Sequence, residues 1–405
     1  MKVSYYQKTI TPDFPVWLDG YGPRQGTTVE FPLLLQGLCI ETSAPIIYLV
    51  LDVIAIEENF FKRIRTLVEP LGIRPEGLII SASHTHQGPA VLPGMTPHTP
   101  IDPSYLIYLE KEIMKAVEDL LKKVQPAHLE SGQVMLEKVF NNRNDPSAYY
   151  YPFADLYKFY GAEGQSICHL VNFGCHPTAT AKQSCALSSD LLGPMRDFYQ
   201  EKSAPLLFFY GEAGDVSTRH YRKSDNPEEV TRLGHSLARQ LLAIPCQKVL
   251  DLTEESLKQS RFQAVYNSQA DQWLQGELRT WQEKVKGTSP EDPRFSVYQM
   301  ILGRLEARNQ RNGLLLSPTC TVIEYNHLRI ITFPGELVGA LAKDLRQIDA
   351  KPTLLFCYSN GYYYYGIDKE QYGKYYESYL SYFPKGMADD IIAEVVELCQ
   401  DNGND

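Results

Sequence analysis

The sequence predicts an α/β protein in which mixed β-sheets are layered with helices and the functional site lies in loops at strand ends. Three observations predict it. Short apolar runs rich in β-branched and aromatic residues recur along the chain, stretches of helical period lie between them, and reactive side chains stand where the runs stop.

The expected strands, in order, are "PIIYLVLDV" (45–53), "GLIISAS" (77–83), "ICHLVNFGC" (167–175), "PLLFFYGEA" (205–213), "LRIITF" (328–333) and "TLLFCYS" (353–359). Their apolar residues are continuous rather than alternating, so both faces of each strand should be covered. Helical period runs through "ENFFKRIRTLVEPLG" (58–72), "SYLIYLEKEIMKAVEDLLKKV" (104–124) and "VTRLGHSLARQLLA" (230–243). From about Asp251 to Asn312 the sequence turns charged and helical, in "QADQWLQGELRTWQEKVKG" and "FSVYQMILGRLEARNQ". This 251–312 stretch is expected to be a helical insertion or lid within one catalytic domain spanning 1–405, and the tail "CQDNGND" should fray.

Composition narrows the function. A net charge of −10 argues against a phosphate-binding surface, so nucleic acid is not an expected partner. The eight cysteines (39, 168, 175, 185, 246, 320, 357, 399) form no C-x-x-C pair, which predicts free thiols and a reducing compartment. "MKVSYYQKTITPDFPVW" lacks an apolar signal core, and no apolar run reaches the roughly 18 residues needed to cross a bilayer. The chain is therefore expected to be cytoplasmic, without a transmembrane segment.

The residues just past each strand carry the chemistry, because α/β folds gather reactive groups beyond strand ends. "GLIISAS" runs into "HTHQGP", "ICHLVNFGC" into "HPTAT", "PLLFFYGEA" into "GDVSTRH", "LRIITF" into "PGELV" and "TLLFCYS" into "NGYYYYG". In extended backbone, residues two apart share a side, so His84 and His86 can face one cavity. His84, His176 and Glu336, from three exits, would supply two imidazoles and a carboxylate to a zinc ion with an open position for water. The structural alternative is that the histidines are hydrogen-bonded caps, that "PGE" is a turn opening a helix, and that Asp215 or Ser217 of "GDVST" serves backbone N–H groups. The tyrosines of "GYYYYG" read as ordinary strand residues. His98, His128, His169, His220, His235 and His327 read as structural or exposed.

Taken in order, these segments resemble the neutral/alkaline, non-lysosomal ceramidase family of zinc amidohydrolases. "SHTHQGP" is similar to its T-H-T-H-S-G-P, "NFGCHPTAT" to its histidine-proline-threonine segment, and "SSDLLG" (188–193) to S-S-D-N-K-G. "GDVS" matches G-D-V-S-P-N, "FPGE" matches V-P-G-E, and "NGYYYYGIDKEQY" resembles its asparagine-tyrosine segment. "DGYGPRQGT" (19–27) and "NNRNDPSAY" (141–149) resemble two further segments, and the likeness spans about 17–377, weakest over 251–320.

The resemblance implies zinc bound by His84, His176, Glu336 and Tyr365, a divalent cation favouring phenolate over phenol. It implies that Ser217 is required for activity and that His86, Arg143 and Tyr376 grip the substrate oxygen. The expected reaction is hydrolysis of an N-acyl amide, ceramide-like or smaller, by zinc-activated water, with Ser217 orienting the nucleophile or shuttling its proton. A serine acyl-enzyme ranks lower because no base that would activate Ser217 is visible. The family's C-terminal immunoglobulin-like domain and secretion signal are not expected for this chain, and "GDVSTRH" departs from G-D-V-S-P-N. The zinc set is expected to survive these departures but the lipid specificity does not follow, so a small-molecule or lipid-like N-acyl substrate is expected, with N-acyl sphingosine and a soluble N-acyl amine equally open. The alternatives are a zinc hydrolase of an ester or phosphate, and a binding protein that retains the fold without turnover.

Overall fold

The computed structural model describes residues 1–96, 99–249 and 251–401. All six expected strands form, as Pro45–Leu51, Leu78–Ala82, Ser166–Phe173, Leu206–Tyr210, Leu328–Thr332 and Thr353–Phe356. At their C-terminal ends they stop one to three residues short of the apolar runs, and the remaining residues leave the sheets for the site.

Two sheets organise the molecule. The larger runs in the order Leu206–Tyr210, Ser166–Phe173, Phe153–Gly161, Gln125–Met135, Lys2–Thr9, Leu34–Glu41, Pro45–Leu51, Leu78–Ala82, with Gln247–Val249 added on Gln125–Met135. It is antiparallel except at its two edges, where Leu206–Tyr210 and Leu78–Ala82 run parallel to their neighbours. The smaller runs Glu254–Arg261, Thr319–Tyr325, Leu328–Thr332, Thr353–Phe356, its last pair parallel.

The sheets pack face to face, which accounts for the continuous apolar runs. Along one strand Leu206, Phe208 and Tyr210 join the core shared with the helices, while Leu207 and Phe209 join the core between the sheets. There the Phe209 and Phe356 rings stack at 4.1 Å, and the Tyr48 and Tyr325 hydroxyls meet at 2.9 Å. Each such buried ring contributes about 1.5–3 kcal/mol. Amphipathic helices cover the outer faces: Pro103–Lys122 and Leu192–Gln200 on the larger sheet, with Glu58–Val68 and Pro227–Leu242 packed against those two helices, and Met387–Gln400 on the smaller sheet. The layering expected from the sequence is present.

The exit of Thr353–Phe356 joins the two sheets. Ala82 N–H donates to Tyr358 O at 3.0 Å, Cys357 N–H to Tyr210 O at 2.9 Å, and Asn360 both donates to Ile80 O and accepts the Ile80 N–H through Oδ1. The strand ends that carry the site residues are thereby held against one another.

The 251–312 stretch is not helical from its start. Glu254–Arg261 forms an edge strand on Thr319–Tyr325, and the helices are Gln272–Lys286 and Phe295–Asn309. The charged residues that read as helix suit an exposed sheet edge equally well. The two helices pack on each other and are anchored by buried Arg308, which donates to Asp271 at 2.7 Å and to the Tyr266 hydroxyl at 2.9 Å. Arg304 of the second helix reaches the carbonyls of Gly94 and Met95 in the loop beyond His86. No described helix is long and apolar enough to cross a membrane. His98 lies outside the described residues.

Candidate metal centre

His84 and His86 do meet, though not by strand alternation. The strand ends at Ala82, and His84 takes a left-handed conformation with φ 54°, an uncommon state for a residue with a Cβ. That twist brings the two Nε2 atoms to 3.4 Å. Six described non-glycine residues have positive φ, and three of the others, Tyr358, Asn360 and Tyr364, lie in the segment facing His84. Such strain is retained where surrounding structure over-determines it, and it concentrates at functional sites.

Three imidazoles are oriented by the same device. Nδ1 of His84 lies 2.7 Å from Ile54 O, Nδ1 of His176 lies 2.7 Å from Ala213 O, and Nδ1 of His86 lies 3.1 Å from Gly20 O. A carbonyl only accepts, so each Nδ1 carries the proton and each neutral ring presents a lone pair at Nε2. His176 is fixed further by its backbone, which donates to Val216 O at 2.9 Å and bridges to Ser217. The stacked ring of Tyr358, 4.4 Å from that of His84, closes the site from behind.

The lone pairs converge. The candidate ligand atoms of His84, His86 and His176 all lie within 4.8 Å of one another, and all three residues are buried. Oε2 of Glu336 stands 3.0 Å from Nε2 of His176 and 3.5 Å from Nε2 of His84, yet accepts no hydrogen bond among the described residues. Its partner Oε1 is taken by the Tyr362 hydroxyl. Burial pushes the His86 and His176 imidazoles below their ordinary value, His84 adding to the effect on His86 and Arg143 to that on His176. Burial alone would raise the Glu336 carboxyl, and only positive charge in the cluster, on the imidazoles or on a cation between them, would hold it below the usual carboxylate range. Neutral nitrogen donors around an orphaned carboxylate oxygen are a donor set that suits a divalent metal ion, and the Nδ1 bonds to carbonyls supply the outer contacts that such ligands use.

Tyr365 is brought to Glu336 by parallel pairing of Glu336–Leu337 with Tyr365–Gly366. Burial and Glu336 push its phenol up, and Arg143 opposes them, donating to the Tyr365 oxygen at 3.1 Å. Arg143 in turn pairs with fully buried Glu377 at 2.8 Å. Asp215 positions this segment: its carbonyl accepts Arg143 N–H at 2.7 Å, and its carboxylate accepts from Asn142 Nδ2 at 2.7 Å and Gly339 N–H at 2.9 Å. Ser217 is 5 % exposed, and its Oγ accepts from Arg219 N–H at 3.3 Å. Both residues thus cap backbone N–H groups, as the structural alternative for "GDVST" allowed. Among the described residues no imidazole or carboxylate is hydrogen-bonded to Ser217 Oγ. Tyr376 is 44 % exposed at the start of the short helix Glu377–Leu380, within the fields of Arg304 and Arg143.

The fold therefore gathers His84, His86, His176, Glu336, Tyr365 and Arg143, with Ser217 joined through the backbone of His176. The sequence reading missed Tyr362, Tyr358 and Glu377. Tyr362 and Tyr358 lie in or beside the "GYYYYG" run, whose density of tyrosines was the available signal, whereas Glu377 is identifiable only through Arg143.

No protein-family model matches the sequence, and no curated protein matches it. Solved structures do. The chain superposes on the neutral ceramidase from Pseudomonas aeruginosa with a TM-score of 0.76 at 15 % identity, over 99 % of this chain and 74 % of that one. It superposes on a ceramidase complexed with C2 with a TM-score of 0.74 at 16 % identity, over 98 % and 75 %. At these identities the likeness establishes a shared fold.

Proposed function

We propose that this chain is a zinc-dependent amidohydrolase that cleaves an N-acyl amide, with His84, His176, Glu336 and Tyr365 holding the metal. The observation that carries the reading is the orphaned Oε2 of Glu336, faced at 3.0 and 3.5 Å by Nε2 atoms that have no proton to give it. The shared fold of the ceramidase structures supports the amide as the bond that is cut. Held by these four residues, the metal would supply Lewis acidity, which for zinc is enough to bring the pKa of a water to about 7.

The residues around the metal do the rest. His86, with Nδ1 bound to Gly20 O, presents Nε2 to the reacting group and accepts or returns its proton there. Arg143, held by Glu377, directs a guanidinium N–H at the Tyr365 oxygen and places positive charge where the carbonyl oxygen gains negative charge. Ser217 positions the nucleophile from the strand bridged to His176. Buried Tyr358 and Tyr362 exclude water from the far side of the cluster. A cytoplasmic site of action is part of the proposal, and the eight free thiols support it.

The test is elemental analysis of the purified protein, followed by amine release from N-acyl amides, with matched esters and phosphate monoesters as controls. About one zinc per chain, and free amine lost in His176→Ala, is the expected result. Ester or phosphate cleavage without amide cleavage would contradict the reaction class, and metal-free protein would contradict the centre.

A further inference from the structure

Three cations, Arg24, Lys182 and Arg222, stand near the histidine cluster in a chain whose net charge is −10. His86 is 9 % exposed, whereas His84 and His176 are 1 % and 2 % exposed, so His86 is the member of the cluster nearest solvent. The Tyr21 ring lies there, 4.8 Å from the His86 ring. Around it stand the Arg24 guanidinium at 5.1 Å and the Lys182 ammonium at 6.0 Å; burial and then the Asp190 carboxylate raise its phenol, while Arg24, Arg222 and Arg143 pull it down.

Among the described residues none of these three cations has an ion-pair partner. Arg24, nine-tenths buried, donates only to carbonyls: Gln87 Oε1 at 2.8 Å, Ser184 O at 2.6 Å, His86 O at 2.7 Å and Asp19 O at 3.2 Å, while its Nε has no partner. Arg222 donates to the carbonyls of Thr178 and Ala179. The neighbouring acids turn elsewhere. Asp19 accepts the N–H groups of Val91 and Leu92, and Asp190 those of Ala179, Thr180 and Leu191. A buried guanidinium bonded only to neutral acceptors is costly, and cations fixed by carbonyls around a cleft focus their field on an incoming anion.

We infer that the substrate is an anionic N-acyl amide, carrying a carboxylate or comparable single charge within a few bonds of the scissile carbonyl, which seats against Arg24, Lys182 and Arg222 beside Tyr21. This rests on the amidohydrolase reading above and adds the charge of the substrate to it. The short reach from Tyr21 to His86 sets the closeness of charge and carbonyl.

Two amides with one acyl chain test it: N-lauroylglycine, ending in carboxylate, and N-lauroylethanolamine, ending in hydroxyl. With zinc-loaded protein, KM for the glycine amide should be at least tenfold lower, and the ratio should fall towards one in the Lys182→Gln/Arg222→Gln double variant and with added salt. A ratio near one in the wild type would overturn the inference. So would a ratio that survives in the double variant, because the metal would then be reading the carboxylate. Calorimetric binding of the two matching ketones, with CH2 in place of the amide NH, gives the same comparison without turnover. Tighter binding of the anionic ketone, lost in the double variant, supports the inference even if neither amide is cut, an outcome that would sink only the amidohydrolase reading; equal affinities overturn the inference.

Discussion

Nε2 of His176 and Oε2 of Glu336 face each other across 3.0 Å with a lone pair on each side, since the ring proton of His176 is committed to Ala213 O. Two acceptors at that distance repel unless a cation lies between them. Metal should therefore stabilise the fold. At a free zinc concentration about a thousand times Kd, linkage gives roughly 4 kcal/mol, so chelation should lower the thermal midpoint by several degrees and zinc should restore it. In His84→Ala and His176→Ala, chelator should shift the midpoint little.

The pair behind Tyr365 gives a second expectation. Glu377 is fully buried and Arg143 nearly so. Removing one charge strands the other, at a cost of about 3–5 kcal/mol. Glu377→Gln should show that loss in denaturant unfolding and should reduce kcat as Tyr365 loses its anchor. The double variant Arg143→Met/Glu377→Leu should regain part of the stability and none of the activity. A Glu377→Gln protein as stable as wild type would show that the pair is not held as described.

Gly20 tests the placing of His86. Its φ is +95°, and a Cβ built there would overlap the His86 ring. Gly20→Ala should displace that ring and destabilise the protein by about 1–3 kcal/mol. Activity should fall further than stability explains, as a kcat effect at temperatures where the variant remains folded.

His169 supplies a pH dependence away from the metal. The ring is 2 % exposed, with Nδ1 2.7 Å from the Tyr199 hydroxyl and Nε2 3.0 Å from Ser166 Oγ. Burial, with Lys158 assisting, lowers it from 6.5 to about 4. Between those values the unfolded chain binds a proton that the native chain refuses, so stability falls as pH drops from 6.5 to 4 and levels off below. The displacement corresponds to roughly 3 kcal/mol. Unfolding free energies of wild type and His169→Gln should diverge by about 2–3 kcal/mol over that window, and parallel curves would refute the assignment.

Much of this was legible in the chain because a strand covered on both faces must be apolar throughout, so each run announced itself and each exit could be inspected. His84, His176 and Glu336 were found that way, and Tyr365, Arg143 and Ser217 through a resemblance of motifs. The left-handed turn at His84 was not legible, since nothing local favours it; it follows directly on residues 80 and 82, which are tied by hydrogen bonds to Asn360 and Tyr358 of the neighbouring exit. Glu254–Arg261 read as helix because an edge strand with one partner tolerates the polar residues of an exposed helix. Glu377 carries no local signal, and its role is visible only where the fold places it beside Arg143.

The most direct test of the central claim is an anomalous-scattering map at the zinc edge from crystals of the purified protein. One peak is expected within coordination distance of Nε2 of His84, Nε2 of His176 and Oε2 of Glu336. A map with no peak there, or with the metal elsewhere in the chain, would contradict the account.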